Sequence, residues 1–248
     1  MALRCPRLFH YRYVEKLAEP EVMPEARIGK AVHAALEHAL RGVALGEALA
    51  RGRDLVVGEI EKARFDQLIG GIPHFLTRLE GFRKRHRVGR QLIEFQLAVR
   101  DDFSSTAFYA GDAFYRGVLD IGFVYDDGTL AVVDHKTGAR YRNLAVVDQL
   151  EGYAVLGICG MRHVRRIWLG IHWVGDADME WQPILPAAHV QRELVPRVLA
   201  NIEAAALAVD DGPRPNPGVW CERCNYRSVC PTGIEFRFEP VDDDIGGD

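Results

Sequence analysis

The stretch GVLDIGFVYDDGTLAVVDHKTG, residues 117–138, decides how the rest of the chain is read. Two apolar runs flank Asp126-Asp127-Gly128-Thr129, and an Asp-Gly pair between such runs predicts a tight hairpin. Asp120 lies six residues before the turn and Asp134 five after it, so pairing sets the two carboxylates on adjacent strands. Lys136 shares the parity of Asp134, which points the ammonium and the carboxylate to one side of the sheet. Two carboxylates brought together repel unless a hard divalent cation lies between them. The plainer reading is a surface ion-pair cluster at a strand end, and this stretch alone leaves both open.

Upstream, EARIGKAVHAALEHALRG carries apolar residues at 28, 32, 35, 36, 39 and 40, the spacing of an amphipathic helix. Two further helices are predicted over 45–64 and 65–87, then a strand in RQLIEFQLAVR (90–100). Downstream, the pattern predicts a helix from 144 closed by Gly160, a strand in HVRRIWLGIHWV (163–174), a further strand in MEWQPIL (179–185) and a helix over 187–209. The order implies an α/β fold with a mixed central β-sheet flanked by helices. We expect one domain over 1–248: a helical N-terminal part to about 88, a core over about 89–185, a helix and cysteine-rich segment over about 186–232, and an acidic tail over 233–248.

No run approaches the ~18 apolar residues of a membrane span, and the start, MALRCPRLFHYRYVEKL, lacks the apolar core of a signal peptide. A cytoplasmic protein without membrane contact is expected. The formal net charge of -4 excludes a generic nucleic-acid coat protein, although FRKRHRVGR (82–90) and MRHVRR (161–166) are local basic runs. A reducing compartment argues against disulfides among the five cysteines. Cys221-x2-Cys224-x5-Cys230, followed by Pro231, concentrates three thiols on a Pro/Gly-flanked loop, a pattern that calls for a metal or cluster. A zinc ribbon would add a second Cys-x2-Cys pair, and none is present. Cys5 remains as the plausible fourth ligand, while Cys159 reads as a small core residue.

Together these motifs resemble the PD-(D/E)xK nuclease superfamily in its RecB-like branch. Gly117, Asp120, Asp134, Lys136 and Thr137 match its Gly-x-x-Asp strand and Asp-x-Lys-Thr strand. His135 stands where the branch usually has an aromatic residue, a position whose backbone carbonyl is implied to face the metal. Gln149 and Tyr153 match the Gln-x-x-x-Tyr helix that follows and is implied to support the lysine and the DNA strand. Gly29 and His33 match an upstream Gly-x-x-x-His helix whose imidazole is implied to bind metal. Imidazole would tilt the site toward Mn²⁺ over Mg²⁺. Glu94 is placed beside that ligand set rather than in it. Cys5, Cys221, Cys224 and Cys230 resemble the one-plus-three set that binds a [4Fe–4S] cluster in AddAB-type nuclease domains and CRISPR-associated RecB-like exonucleases. Zn²⁺ is the alternative occupant of those four cysteines. The start CPRLFHYRYV resembles the family's Cys-Pro-x-x-Phe-x-Tyr-x-Tyr segment.

The resemblance implies a metal-dependent deoxyribonuclease, an exonuclease by preference, in repair, recombination or CRISPR spacer acquisition. Asp120, Asp134, His33 and the His135 carbonyl would hold the metal, with Lys136 acting on the attacking water. No Gly-x-x-x-x-Gly-Lys-Ser/Thr phosphate loop occurs, so any unwinding would come from a helicase or from a CRISPR integration partner, and single-stranded or frayed DNA is the expected substrate. The competing expectations are a non-catalytic DNA-end-binding or structural subunit, and a zinc-stapled scaffold with an incidental acidic cluster.

Overall fold

The computed structural model describes residues 5–20, 23–85, 88–140 and 144–235, so most of the expected acidic tail lies outside the described residues. The chain forms two compact units: Pro24–Leu199, and the described parts of Met1–Met23 with Ala200–Asp248. The smaller unit starts with α1 (Pro6–Phe9), continued by a π-helical turn, His10–Val14.

The larger unit opens with α2 (Pro24–Leu40), α3 (Leu45–Arg53), α4 (Gly58–Leu68) and α5 (Gly71–Arg85). The sequence predicted two helices over 45–64 and 65–87; the structure has three. The first break falls at Val57, which is extended and whose N–H is capped at 3.0 Å by Glu61 Oε2, starting a new helix. The second falls at Gly70-Gly71, where a Cβ on Gly71 would lie 2.1 Å from the Val174 carbonyl oxygen. Only glycine lets the two backbones approach this closely.

A mixed sheet follows: β1 (Val88–Val99), β2 (Ser105–Thr106), β3 (Tyr115–Tyr125), β4 (Thr129–Lys136), and, after α6 (Leu144–Gly160), β5 (Arg166–Trp173), β6 (Asp178–Trp181) and β7 (Leu185–Pro186). The spatial order is β2-β1-β3-β4-β5-β6, with β7 also on β5. MEWQPIL therefore supplies two short strands rather than one. The β3–β4 turn is Asp126-Asp127-Gly128: Gly128, at φ +80°, takes the left-handed conformation, and the Asp127 carboxylate accepts the Thr129 N–H at 2.9 Å. β4 and β5 are parallel, joined through α6. The expected C-terminal helix is divided into α7 (Ala187–His189), a π-helical turn (Val190–Leu194) and α8 (Val195–Asp210).

One face of the sheet packs on α2, α4 and α5 through Ile28, Val32, Leu36, Phe65, Phe75, Ile121, Phe123, Ala131 and Val133. The other is covered by α6, where a Cβ on Gly157 would meet Leu130 and Ile167. The smaller unit is completed by a 3-10 turn, Val219–Arg223, and α9 (Pro231–Glu235). Within it the Arg7 N–H meets the Arg214 carbonyl at 3.2 Å, the Tyr226 hydroxyl donates to the Leu17 carbonyl at 2.9 Å, and the Tyr11 and Tyr226 rings lie 5.3 Å apart. No helix of the described residues is long and apolar enough to cross a membrane.

Phe123 is fully buried, with its ring 5.9 Å from that of Phe82. Phe123→Ala is expected to lower the unfolding free energy by about 3–5 kcal/mol, read as a reduced urea midpoint with unchanged slope.

Candidate active site

The pairing Ile121↔Val133, continued by one position, sets Asp120 across from Asp134. On the other side, Ile93↔Ile121 and Phe95↔Leu119 bracket Glu94 opposite Asp120. Three carboxylates thus lie in a row across three neighbouring strands. The alternation of side chains slips here. Leu97 and Gly117 face α6, at Gly160 and Leu156, whereas Ile121 and Phe123 lie in the core on the other face. Glu94 absorbs part of this twist with φ +46°, a strained value for a residue with a Cβ.

α2 places His33 over the row. Its Nε2 lies 3.0 Å from the His135 carbonyl oxygen and its Nδ1 3.6 Å from Asp120 Oδ1. A carbonyl can only accept, so in the neutral ring Nε2 carries the proton and Nδ1 turns a bare lone pair toward the carboxylates. The other Asp120 oxygen accepts the His135 N–H at 2.7 Å. One ligand atom each from His33, Glu94 and Asp120 lies within 4.8 Å of the others, the one such donor group found among the described residues.

Burial raises the Asp120 carboxyl from 3.8 to about 6; the charge of Asp134 adds to this, while His33 opposes it. Burial, followed by the charge of Asp120, raises Glu94 as well. Crowded acids starved of counter-charge, next to a bare imidazole nitrogen, suit a divalent cation.

Asp134 takes a different place. It is 2% exposed, and its Oδ2 pairs with Lys136 Nζ at 2.6 Å. Lys136 also donates to Gln149 Oε1 at 2.6 Å, Gln149 Nε2 donates to the Tyr153 hydroxyl at 2.7 Å, and that hydroxyl donates to Asp134 Oδ1 at 3.3 Å. The four side chains form a closed ring. Gln149 and Tyr153 reach it because i, i+4 residues share a face of α6. Burial pushes the Tyr153 hydroxyl far up, so it stays a donor.

The His135 side chain points to the opposite face, where sequence reasoning saw nothing. Its Nδ1 lies 2.9 Å from Nδ1 of His172, and the Phe75 ring stacks on His172 at 4.3 Å and meets His135 edge-on at 5.0 Å. Both histidines are almost fully buried, and burial holds them neutral, His172 at about 3. His135 and His172 face each other across the parallel pair β4–β5, and Phe75 covers both from a distant helix. Glu94 was placed beside the ligand set on sequence grounds, yet it stands within the donor group. A residue in the left-handed conformation inside a strand breaks the parity rule from which strand facing is read.

In the smaller unit, Cys5, Cys221, Cys224 and Cys230 are all half-buried. Burial raises the Cys224 thiol, and the charges of Cys221, Cys230 and Cys5 raise it further. Among the described residues the four cysteines form no donor group as tight as that around Asp120. Cys159 sits apart on α6, its thiol pushed up by burial.

Comparison with known proteins agrees with this geometry. The model of the PD-(D/E)XK nuclease superfamily matches residues 2–231. No curated protein matches the sequence. A solved structure, the crystal structure of SSO0001, aligns over 94% of this chain and 84% of that one with 17% identity and a TM-score of 0.40, a superposition too loose to add to the family match.

The metal-free fold protonates Asp120 up to about pH 6 and the unfolded chain only to about 3.8, so between these values the native state binds more protons and stability falls as pH rises. Asp120→Asn is expected to flatten this slope and to stabilise the EDTA-treated protein at pH 7 by roughly 1–3 kcal/mol, while abolishing the rise in Tm on adding Mn²⁺. Thermal denaturation over pH 4–7 with and without the ion reads both.

Proposed function

Because the chain belongs to the PD-(D/E)XK nuclease superfamily, we propose that it is a divalent-metal-dependent deoxyribonuclease of the RecB-like type that cuts single-stranded or frayed DNA from its ends. The observation that carries this reading is the juxtaposition of two sets of groups: the His33–Glu94–Asp120 donors and the Asp134–Lys136–Gln149–Tyr153 ring. The donors suit Mn²⁺ or Mg²⁺, held by His33, Asp120, Asp134 and the His135 carbonyl, with Glu94 added from the geometry. Bound there, such an ion supplies Lewis acidity toward a phosphodiester oxygen and lowers the pKa of a water.

The remaining chemistry belongs to the chain. Lys136 orients the attacking water and lays positive charge toward the phosphoryl oxygens as negative charge develops. Gln149 fixes the direction of the ammonium, and the Tyr153 O–H holds Asp134 so that its charge stays beside Lys136. His135 presents both of its backbone polar groups to the site, the N–H to Asp120 and the carbonyl to His33. The buried pair with His172 keeps that backbone from turning.

Cys5, Cys221, Cys224 and Cys230 are assigned to a [4Fe–4S] cluster with a structural role, tying the two ends of the chain together. Support comes from their spacing and from their gathering within one unit of the fold. Unwinding of duplex DNA would fall to a helicase, or to an integration complex in a CRISPR setting.

The test is cleavage of end-labelled single-stranded DNA with Mn²⁺ by protein purified without oxygen. Wild type is expected to give a ladder whose direction reports polarity. Lys136→Ala and Asp120→Asn, at matched iron content and with the fold verified by circular dichroism, should be slower by about 10²- to 10⁴-fold. An inert, folded wild type would sink the catalytic reading in favour of an end-binding subunit. Metal analysis accompanies it: Cys224→Ser is expected to lose the iron, the visible absorbance and part of the thermal stability. Zinc without iron in wild type would overturn the cluster assignment.

A further inference from the structure

The face of the sheet on which His33 lies continues past α2 along β1 and β3. There Gln96 pairs with Val118 and Ala98 with Arg116, and all four face away from α6 because the intervening Leu97 and Gly117 face it. Over this strip runs the loop 107–114. Tyr109 on that loop is 79% exposed. A single exposed tyrosine needs no explanation by itself. This one is braced: the Phe108 ring meets it edge-on at 5.0 Å, and Gln96 Nε2 donates to its hydroxyl at 3.4 Å. Arg116 donates to the Phe108 carbonyl at 3.1 Å and sets its guanidinium 5.8 Å from the Phe108 ring centre. The loop is tied down in turn, with Asp112 bonded to Arg100 at 2.6 Å and to Thr106 at 2.8 Å.

Its position gives the shelf a use. Gln96 is two residues from Glu94 on the same strand, about 7 Å, the rise of two stacked nucleotides at about 3.4 Å each. An outward aromatic ring, an arginine and an amide gather on the stretch of β1 and β3 that leads along the strands to Glu94 and Asp120. In a chain of net charge -4, a cation held beside such a ring is a local provision for an anion.

We propose that Tyr109, backed by Phe108 and flanked by Arg116 and Gln96, is the shelf on which a base of single-stranded nucleic acid stacks while its backbone runs on toward Asp120. The proposal rests on the nuclease reading and specifies how that site takes its substrate. Stacking on a tyrosine face is tolerant of sequence, because every base has a π-face, and it selects unpaired over paired nucleotides. Arg116 meets the phosphates.

The experiment uses a short oligothymidylate carrying one 2-aminopurine, whose fluorescence falls when it stacks. Binding is followed with wild-type protein in EDTA and, separately, with Lys136→Ala in Mn²⁺, so that no single background decides. Both are expected to bind and to quench most strongly at one position of the probe. Tyr109→Ala should raise Kd roughly 5- to 100-fold and remove that position-dependent quenching. Tyr109→Phe should retain both. The side chain is exposed, so its removal leaves the core untouched, and circular dichroism verifies the fold. Quenching and Kd unchanged in Tyr109→Ala would overturn the shelf, as would a wild type that binds no oligonucleotide. A wild type that binds and quenches but never cleaves would keep the shelf and sink the nuclease reading; cleavage and binding both intact in Tyr109→Ala would sink the shelf alone.

Discussion

Asp134 is a charge in the interior of a sheet. At 2% exposure it would be intolerable as an isolated carboxylate, and what makes it tolerable is the ammonium of Lys136 at 2.6 Å. The rest of the site is arranged around keeping those two groups in place. Lys136 needs an acceptor on its far side, which is Gln149; Gln149 needs its own amide satisfied, which Tyr153 does; and Tyr153 returns its proton to Asp134. Each member supplies what the next one lacks, so three hydrogen bonds and one ion pair close the ring and leave no cheap way to remove one part. The position of α6 over β4 follows from this ring as much as from the apolar contacts beneath it.

On the other side of Asp134 the balance is deliberately left open. Asp120 and Glu94 are buried together with too little positive charge, and the chain accepts a left-handed Glu94 to bring them into line. A fold that gathers acids at a backbone irregularity has stored unfavourable free energy that a bound cation releases. The two halves of the site therefore differ in kind. One is neutralised from within, and the other waits for something from solution.

Much of this was legible in the sequence, for reasons that are local. The β3–β4 hairpin, its turn residues and the parity of Asp134 and Lys136 follow from period-two geometry, and Gln149 and Tyr153 follow from helical spacing. The break at Gly70-Gly71 was missed because it is caused by the Val174 carbonyl, a hundred residues away along the chain. The burial of His135 and His172 depends on Phe75 in the same way. Glu94 was assigned a lesser place because its nearness to Asp120 comes from the β1–β3 pairing, which no local pattern sets. The misread features are thus long-range contacts and the one strained strand residue.

The composition of the smaller unit from both ends of the chain has a consequence for biosynthesis. Pro24–Leu199 is continuous and can fold while the ribosome is still at work. Cys5 precedes that unit in the sequence and Cys221, Cys224 and Cys230 follow it, so the four thiols can meet only after the whole stretch between them has been made. A product truncated near residue 199 would therefore keep the residues of the larger unit, and Cys5, without the three cysteines that follow.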